Sequence, residues 1–227
     1  MRTFARTAAL LTAIAALAIP TATTAQAAPG PFGSPGDIIT TPLQYALKAL
    51  PIADEDRTGY QRTSFKHWID ADKDGCNTRA EVLKAEAFMT PEQRPNCKLT
   101  GGRWYSEYDD LYIDGASGLD VDHRVPLAEA WDSGASNWTA AERQAYANDL
   151  GDDRALIAVS AKSNRSKADQ DPSTWMPPAA SDHCDYARDW IVVKVRWQLA
   201  IDPAERAALS EGLTHCPNAP VHVTLAR

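Results

Sequence analysis

Past its first 27 residues the 227-residue chain has no apolar run that could cross a bilayer, a task that takes about 20 helical residues. The mature chain is therefore expected to be soluble, with no membrane partner. It has no Cys-X-X-Cys pair and no Cys/His spacing of the kind that holds zinc, so a structural zinc centre is not expected. It has no excess of basic residues: 23 Lys and Arg stand against 30 Asp and Glu, a formal charge of −7. A global basic field is missing, and any grip on a polyanion must be local and salt-sensitive. No internal repeat is visible.

What is there begins with a leader. Arg2 and Arg6 precede an apolar run from Ala8 to Ile19, and Ala25-Gln26-Ala27 offers a small-X-small cleavage site. Residues 1–27 read as a secretory signal peptide, too short in its apolar part to serve as an anchor. The protein is expected outside the cell, acting as a monomer. The leader carries two arginines and no acid, so its removal takes −7 to −9. An exported chain with four cysteines, Cys76, Cys97, Cys184 and Cys216, is expected to form two disulfides. Three pairings exist. Local loop closure favours Cys76–Cys97 and Cys184–Cys216.

Residues 28–40 are rich in Pro and Gly without a hydrophobic period and read as a flexible lead. Residues 41–227 then form one domain. A short helix is expected over Pro42–Leu50 with Thr41 as cap, and a second over Tyr60–Ile69 burying Phe65, Trp68 and Ile69. Arg103–Tyr108 and Leu111–Ile113 read as paired strands. Leu119–Val121 is a strand that delivers Asp122 and His123, and Pro126 opens a helix to Trp131. Thr139 and Glu142 form a capping box for a helix to about Asp149. Ala155–Val159 is β-prone, and Ser160 caps a helix carrying Asn164 and Lys167. Tyr186, Trp190, Val193, Trp197 and Ile201 recur every three or four residues, a long amphipathic helix whose tryptophans serve the core. Asp202-Pro203 starts another, to about Gly212. The tail after Cys216 carries no pattern.

Two stretches carry chemistry: Asp120-Val121-Asp122-His123-Arg124-Val125-Pro126, and Ser163-Asn164-Arg165-Ser166-Lys167-Ala168-Asp169. Together they supply a base, oxygen ligands and cations, the parts that phosphodiester hydrolysis needs. Histidine can take a proton from water near neutral pH. Asp122 and Asn164 suit a hard ion such as Mg²⁺ or Mn²⁺. Asp120, one strand period from Asp122, shares its face and is either a third ligand or a brace. Arg124, Lys162, Arg165 and Lys167 are the candidate local contacts to DNA or RNA. Taken alone, Asp122-His123 reads as a strand-end turn with a surface histidine; the second stretch is what lifts it.

A third stretch, Asp70 to Glu81, has acids at loop positions one, three and five, Gly75 at six and Glu81 at twelve. That is the spacing of an EF-hand calcium loop, with Asp70, Asp72, Asp74, the Cys76 carbonyl and Glu81 as ligands. Asn77 stands where an apolar residue is usual, and an acidic helix-capping turn explains the same residues.

The two chemical stretches, in this order around a strand, resemble the ββα-metal (HNH) nuclease motif. They are most similar to secreted HNH proteins related to the nuclease part of GmrSD-type restriction enzymes. The resemblance runs from about Trp104 to Trp175, with weaker likeness up to Phe65. It implies an α+β fold, a ββα-metal unit embedded in a mostly helical, disulfide-stapled domain. It implies His123 as general base, Asp122 and Asn164 as ligands of a catalytic divalent metal, and Lys167 and Arg165 near the scissile phosphate. One position departs from the pattern. The family places a middle Asn just before the strand that leads to the helix, where this chain has Ala155; Asn148 is the nearest substitute. An extracellular binding module on a scaffold that has lost catalysis is the competing reading, and a phosphodiesterase for non-nucleic substrates a third.

Overall fold

The computed structural model describes residues 30–227; the expected leader, residues 1–27, lies outside them. The first described strand, β1 (Ile38–Pro42), falls at the end of the stretch read as a flexible lead. It pairs antiparallel with β8 (Pro220–Thr224), from Ile38 opposite Thr224 to Pro42 opposite Pro220. The patternless tail supplies the partner, so the two ends of the domain close on each other. Helix α1 (Leu43–Ala49) follows with Pro42, not Thr41, at its cap.

The helix expected over Tyr60–Ile69 is absent. Only a 3₁₀ turn, Arg62–Ser64, forms there. Phe65 is buried in the main core, whereas Trp68 adopts a left-handed φ of 58° and stacks on His123. Two anchors pointing at different partners, with a left-handed residue between helix and loop, are incompatible with a continuous helix. Helix α2 (Thr78–Ala85) starts with the Asn77 side chain accepting from Ala80 N. The short hairpin β2 (Glu92–Arg94) and β3 (Lys98–Thr100) leads into a second, β4 (Arg103–Ser106) with β5 (Leu111–Asp114).

Strand β6 (Leu119–His123) pairs antiparallel with β7 (Leu156–Ser160), His123 opposite Leu156 and Asp122 opposite Ile157. Between them lie α3 (Leu127–Asp132) and α4 (Ala140–Ala147). Helix α4 has its capping box complete: Thr139 N donates to Glu142 Oε2 at 2.7 Å, and Glu142 N to Thr139 Oγ1 at 3.2 Å. Helix α5 (Ala161–Lys167) continues from β7 without a loop and packs on β6 and β7. Strand alternation divides the pair. Leu119, Val121, Leu156 and Ala158 face a small core with Trp104, Val82 and Leu83. Ile157 and Val159 face the main core.

The main core is built on α6 (His183–Trp197), followed by α7 (Pro203–Gly212). Tyr186, Trp190, Val193 and Trp197 are buried as expected, but so are Ile191, Val192 and Val195, so the helix is enclosed rather than amphipathic. It ends at Trp197, short of Ile201, because Gln198 turns left-handed (φ 54°) and returns its N–H to the carbonyls of Lys194 and Val195. The charges it buries are paired, as burial requires. Lys194 Nζ donates to Glu129 and Glu205 at 2.8 and 2.6 Å, and Arg196 forks onto Asp149 at 2.7 and 2.8 Å. Disulfides join Cys76 to Cys97 and Cys184 to Cys216, the pairing that local closure favours. The result is one mixed α and β domain with two disulfide staples.

Candidate active site

The site forms where β6 ends and α5 runs back beside it. Alternation places Asp120 and Asp122 on the face of β6 that α5 covers. Asp122 is buried, and its Oδ2 accepts from Tyr108 Oη and Lys167 Nζ, each at 2.7 Å. Lys167 Nζ also donates to the His123 carbonyl at 2.9 Å. Asn164 Nδ2 reaches Asp120 Oδ2 at 3.3 Å, and Arg165 Nε lies 3.4 Å from the same oxygen. The start of α5 is fixed from the β4–β5 turn. Asp109 Oδ2 accepts from Ser160 Oγ at 2.5 Å and Ser163 Oγ at 2.8 Å, while Ser160 Oγ caps Ser163 N.

His123 closes the strand, 5% exposed, its ring stacked between Trp68 at 5.4 Å and Tyr146 at 6.3 Å. Its Nε2 lies 3.0 Å from the Ala147 carbonyl. A carbonyl only accepts, so Nε2 carries the proton and Nδ1 keeps the lone pair. Burial pushes the imidazole down to about 3, only partly opposed by that carbonyl; Arg62, His67 and Lys167 push the same way. The ring is neutral throughout the physiological range.

Asn148, next to Ala147, ties this loop down. Its Oδ1 accepts from Ile69 N at 3.0 Å and Thr78 Oγ1 at 2.9 Å, and its Nδ2 donates to the carbonyls of Lys66 and Gln144, both at 2.7 Å. Ala155, the position without its Asn, has no polar side chain to offer: its methyl packs in the main core and its carbonyl accepts from Arg124 N at 3.0 Å.

Asp122, His123 and Asn164 line one open cleft of about 500 Å³, together with Tyr60, Arg62 and Arg165. Their donors are carboxylate and amide oxygens and an imidazole, a set that fits a hard divalent ion retaining water and substrate oxygens. With Asn164 Nδ2 turned to Asp120, its Oδ1 is the atom left for such an ion.

The proposed nucleic-acid contacts divide. Lys162 is exposed on α5, and Arg165 is exposed at the cleft. Lys167 is fully buried, so it cannot touch a polyanion; burial pushes its ammonium down while Asp122 holds it up. Arg124 is 1% exposed. Its Nη2 pairs with Asp189 at 3.0 Å, and its guanidinium lies 5.3 Å from the Tyr108 ring centre and 5.5 Å from that of Tyr186. Burial opposes its charge, but Tyr108, Asp189, Asp182 and Glu107 outweigh that and raise it. Both residues are interior supports. Sequence reading missed Arg62, exposed at the cleft from the 3₁₀ turn, and Trp68, the ring that covers His123.

The Asp70–Glu81 loop brings Asp70, Asp72 and Asp74 together. Burial, with the charges of Asp72, Asp74 and Asp70, raises Glu81 above the usual carboxylate range. Asp70 and Asp74 also accept from the backbone N–H of Gly75 and Cys76. No α-helix enters the loop: before it only the 3₁₀ turn Arg62–Ser64 forms, and Asn77 within it caps α2.

A β-strand pair thus runs straight into a helix, and a buried histidine, a carboxylate and a side-chain amide meet at one cleft. Residues 79–211, more than half of the chain, match the family model for GmrSD restriction endonucleases, C-terminal domain. The chain belongs to that nuclease-like family. It is also 40% identical over 202 residues to an uncharacterized secreted protein of Arthroderma benhamiae, covering 88% of this chain and 98% of the relative. No solved structure matches. Two disulfides agree with a secreted relative, and among the described residues no helix is long and apolar enough to cross a membrane. The protein is a secreted one.

Proposed function

We propose that this chain is a secreted, metal-dependent HNH-type endonuclease that hydrolyses phosphodiester bonds of DNA or RNA. The observation that carries the reading is His123. Its Nε2–H is committed to the Ala147 carbonyl, so Nδ1 is free as base, in the cleft that Asp122 and Asn164 also line. Asp122 and Asn164 would hold a Mg²⁺ or Mn²⁺ ion, which when bound polarises the phosphate and stabilises the leaving oxygen. Asp120 acts as the brace of Asn164. Nδ1 of His123 accepts the proton of the attacking water. A polyanion in the cleft favours the protonated ring, so the imidazole's proton affinity rises when substrate is bound. Arg62 and Arg165, exposed at the rim, supply the local cationic grip that an acidic protein needs. Asn148 takes over the brace that the family assigns to the residue at Ala155.

The Asp70–Glu81 loop enters the same proposal as a structural Ca²⁺ turn, with Asp70, Asp72, Asp74, Glu81 and the Cys76 carbonyl as ligands. It is supported by the gathering of the three aspartates.

Binding without catalysis is the second reading. The depth of His123 and the double engagement of Asp122 Oδ2 favour it. Incubating the mature protein with supercoiled plasmid and with RNA, with Mg²⁺ or Mn²⁺ and with EDTA, separates the two. Nicking that EDTA abolishes is the expected result; binding without any cleavage selects the module.

A further inference from the structure

We infer that the pocket between α3, the turn after α5 and the start of α7 is a second cation site, built for Ca²⁺ and separate from Asp122 and Asn164. Its ligands are Glu55, Glu129, Asp132, Asp171 and Asp202. Carboxylate oxygens of Glu55, Glu129 and Asp132 lie within 4.8 Å of one another, and so do those of Glu55, Asp171 and Asp202. Glu55 belongs to both groups and sits at their junction.

Four of the five carboxylates spend one oxygen on the fold. Asp132 Oδ2 accepts from Arg57 Nε at 2.6 Å. Glu129 Oε1 accepts from Ser133 Oγ at 2.6 Å and Lys194 Nζ at 2.8 Å. Asp202 Oδ1 caps α7 through Ala204 N at 2.7 Å, and Asp171 Oδ1 holds Ser173 N at 3.0 Å. These bonds orient each group. What remains is unusual: Asp132 Oδ1 and Asp202 Oδ2 are buried without any hydrogen-bond partner. The Asp132 side chain is only 1% exposed. A buried acceptor left unpaired costs about 1–3 kcal/mol, and here each of the two carboxylate groups that meet at Glu55 holds one.

Among the described residues the two cations paired with these carboxylates are each already shared. Arg57 is shared between Asp132 and Asp169, and Lys194 between Glu129 and Glu205. Partial desolvation, then the crowding of Glu129, Asp202 and Asp132, raises Glu55 although its side chain is exposed. All donors are oxygens drawn from four segments, and the open pocket of about 350 Å³ leaves room for water. Ca²⁺ takes six to eight oxygens in flexible geometry, whereas Mg²⁺ demands a tight octahedron. A bound ion would tie the loop at Glu55 to α3, to α7, and to Asp171 in the turn that follows the helix bearing Asn164. Nothing here depends on the nuclease reading.

The test uses the full mature chain carrying Asp70→Asn, Asp72→Asn and Asp74→Asn, which removes the other calcium candidate. Calcium at a hundred-fold excess over Kd should raise its Tm by about 5–10 °C over EDTA, with one Ca²⁺ per chain by titration calorimetry. Adding Glu55→Gln and Asp171→Asn should abolish most of the rise. In EDTA that variant should melt no lower, since it relieves carboxylate repulsion; a purely structural role for Glu55 would lower it. A rise that persists undiminished in that variant, or no calcium binding in its parent, overturns the site.

Discussion

Replacing Lys167 with methionine separates an interior support from a substrate contact. Its ammonium is fully buried and bonds Asp122 Oδ2 at 2.7 Å and the His123 carbonyl at 2.9 Å. Methionine keeps most of the length of the side chain and removes the charge. Asp122, itself 8% exposed in its side chain, then keeps one donor, Tyr108 Oη. Removing one partner of a buried pair costs about 3–5 kcal/mol. Burial already disfavours the ammonium, which places the expected loss near the lower end, about 3 kcal/mol. For a domain of this size that is a fall in Tm of about 6–12 °C. Urea unfolding followed by tryptophan fluorescence measures it directly. A divalent ion bound by Asp122 would replace part of the missing charge, so added Mn²⁺ should recover more stability in the variant than in wild type. A loss below about 1 kcal/mol, with cleavage nonetheless abolished, would put Lys167 on the substrate and refute the burial reasoning.

Three further outcomes follow from the same geometry. Asn148→Ala breaks the four bonds that hold the loop of Ala147. It should cost about 2–3 kcal/mol and lower cleavage at least ten-fold with little change in KM; unchanged turnover would remove Asn148 from the positioning of His123. Because burial holds His123 down to about 3, the unfolded chain binds a proton below pH ~6.5 that the folded chain refuses. Stability then falls as pH drops from ~6.5 towards 3, by up to about 1.4 kcal/mol per unit. The stability difference between wild type and His123→Gln should accordingly narrow between pH 7 and 4, and a constant difference contradicts the assignment. Cys184 and Cys216 close a loop of sequence separation 32, worth about 3.7 kcal/mol; the double serine variant should lose that in urea unfolding, and a loss below about 1 kcal/mol would deny the staple its role.

What could be read from the chain was local. The capping box at Thr139, the β6 cluster, the helix after Ser160 and the two disulfide loops each lie within a short span whose chemistry is self-contained. What could not be read needs partners far apart. Strand β1 was hidden in a Pro- and Gly-rich lead because its partner lies at Val221 to Thr224. The five carboxylates of the α3–α7 site come from four segments, and only Glu129 and Asp132, three apart on α3, are spaced to share a face. The inward direction of Lys167 had a signal: it lies three residues from Asn164 on one helical face, the face that α5 turns to β6. Arg124 had none, since its cage of Asp189, Asp182 and Glu107 is tertiary. Phe65 and Trp68 have helical spacing, yet no α-helix forms at 60–69 because the two rings serve different cores.

Single-turnover cleavage of supercoiled plasmid by wild type and His123→Ala bears most directly on the central claim. The substitution empties a buried ring site and should cost about 2–4 kcal/mol, so both proteins are assayed well below their Tm, with circular dichroism confirming the fold. Wild type should nick only with Mg²⁺ or Mn²⁺, and His123→Ala should be slower by about 10²–10⁴ while still binding the metal. Wild-type-like turnover by His123→Ala, or no cleavage of DNA or RNA by wild type with any divalent metal, would contradict the account.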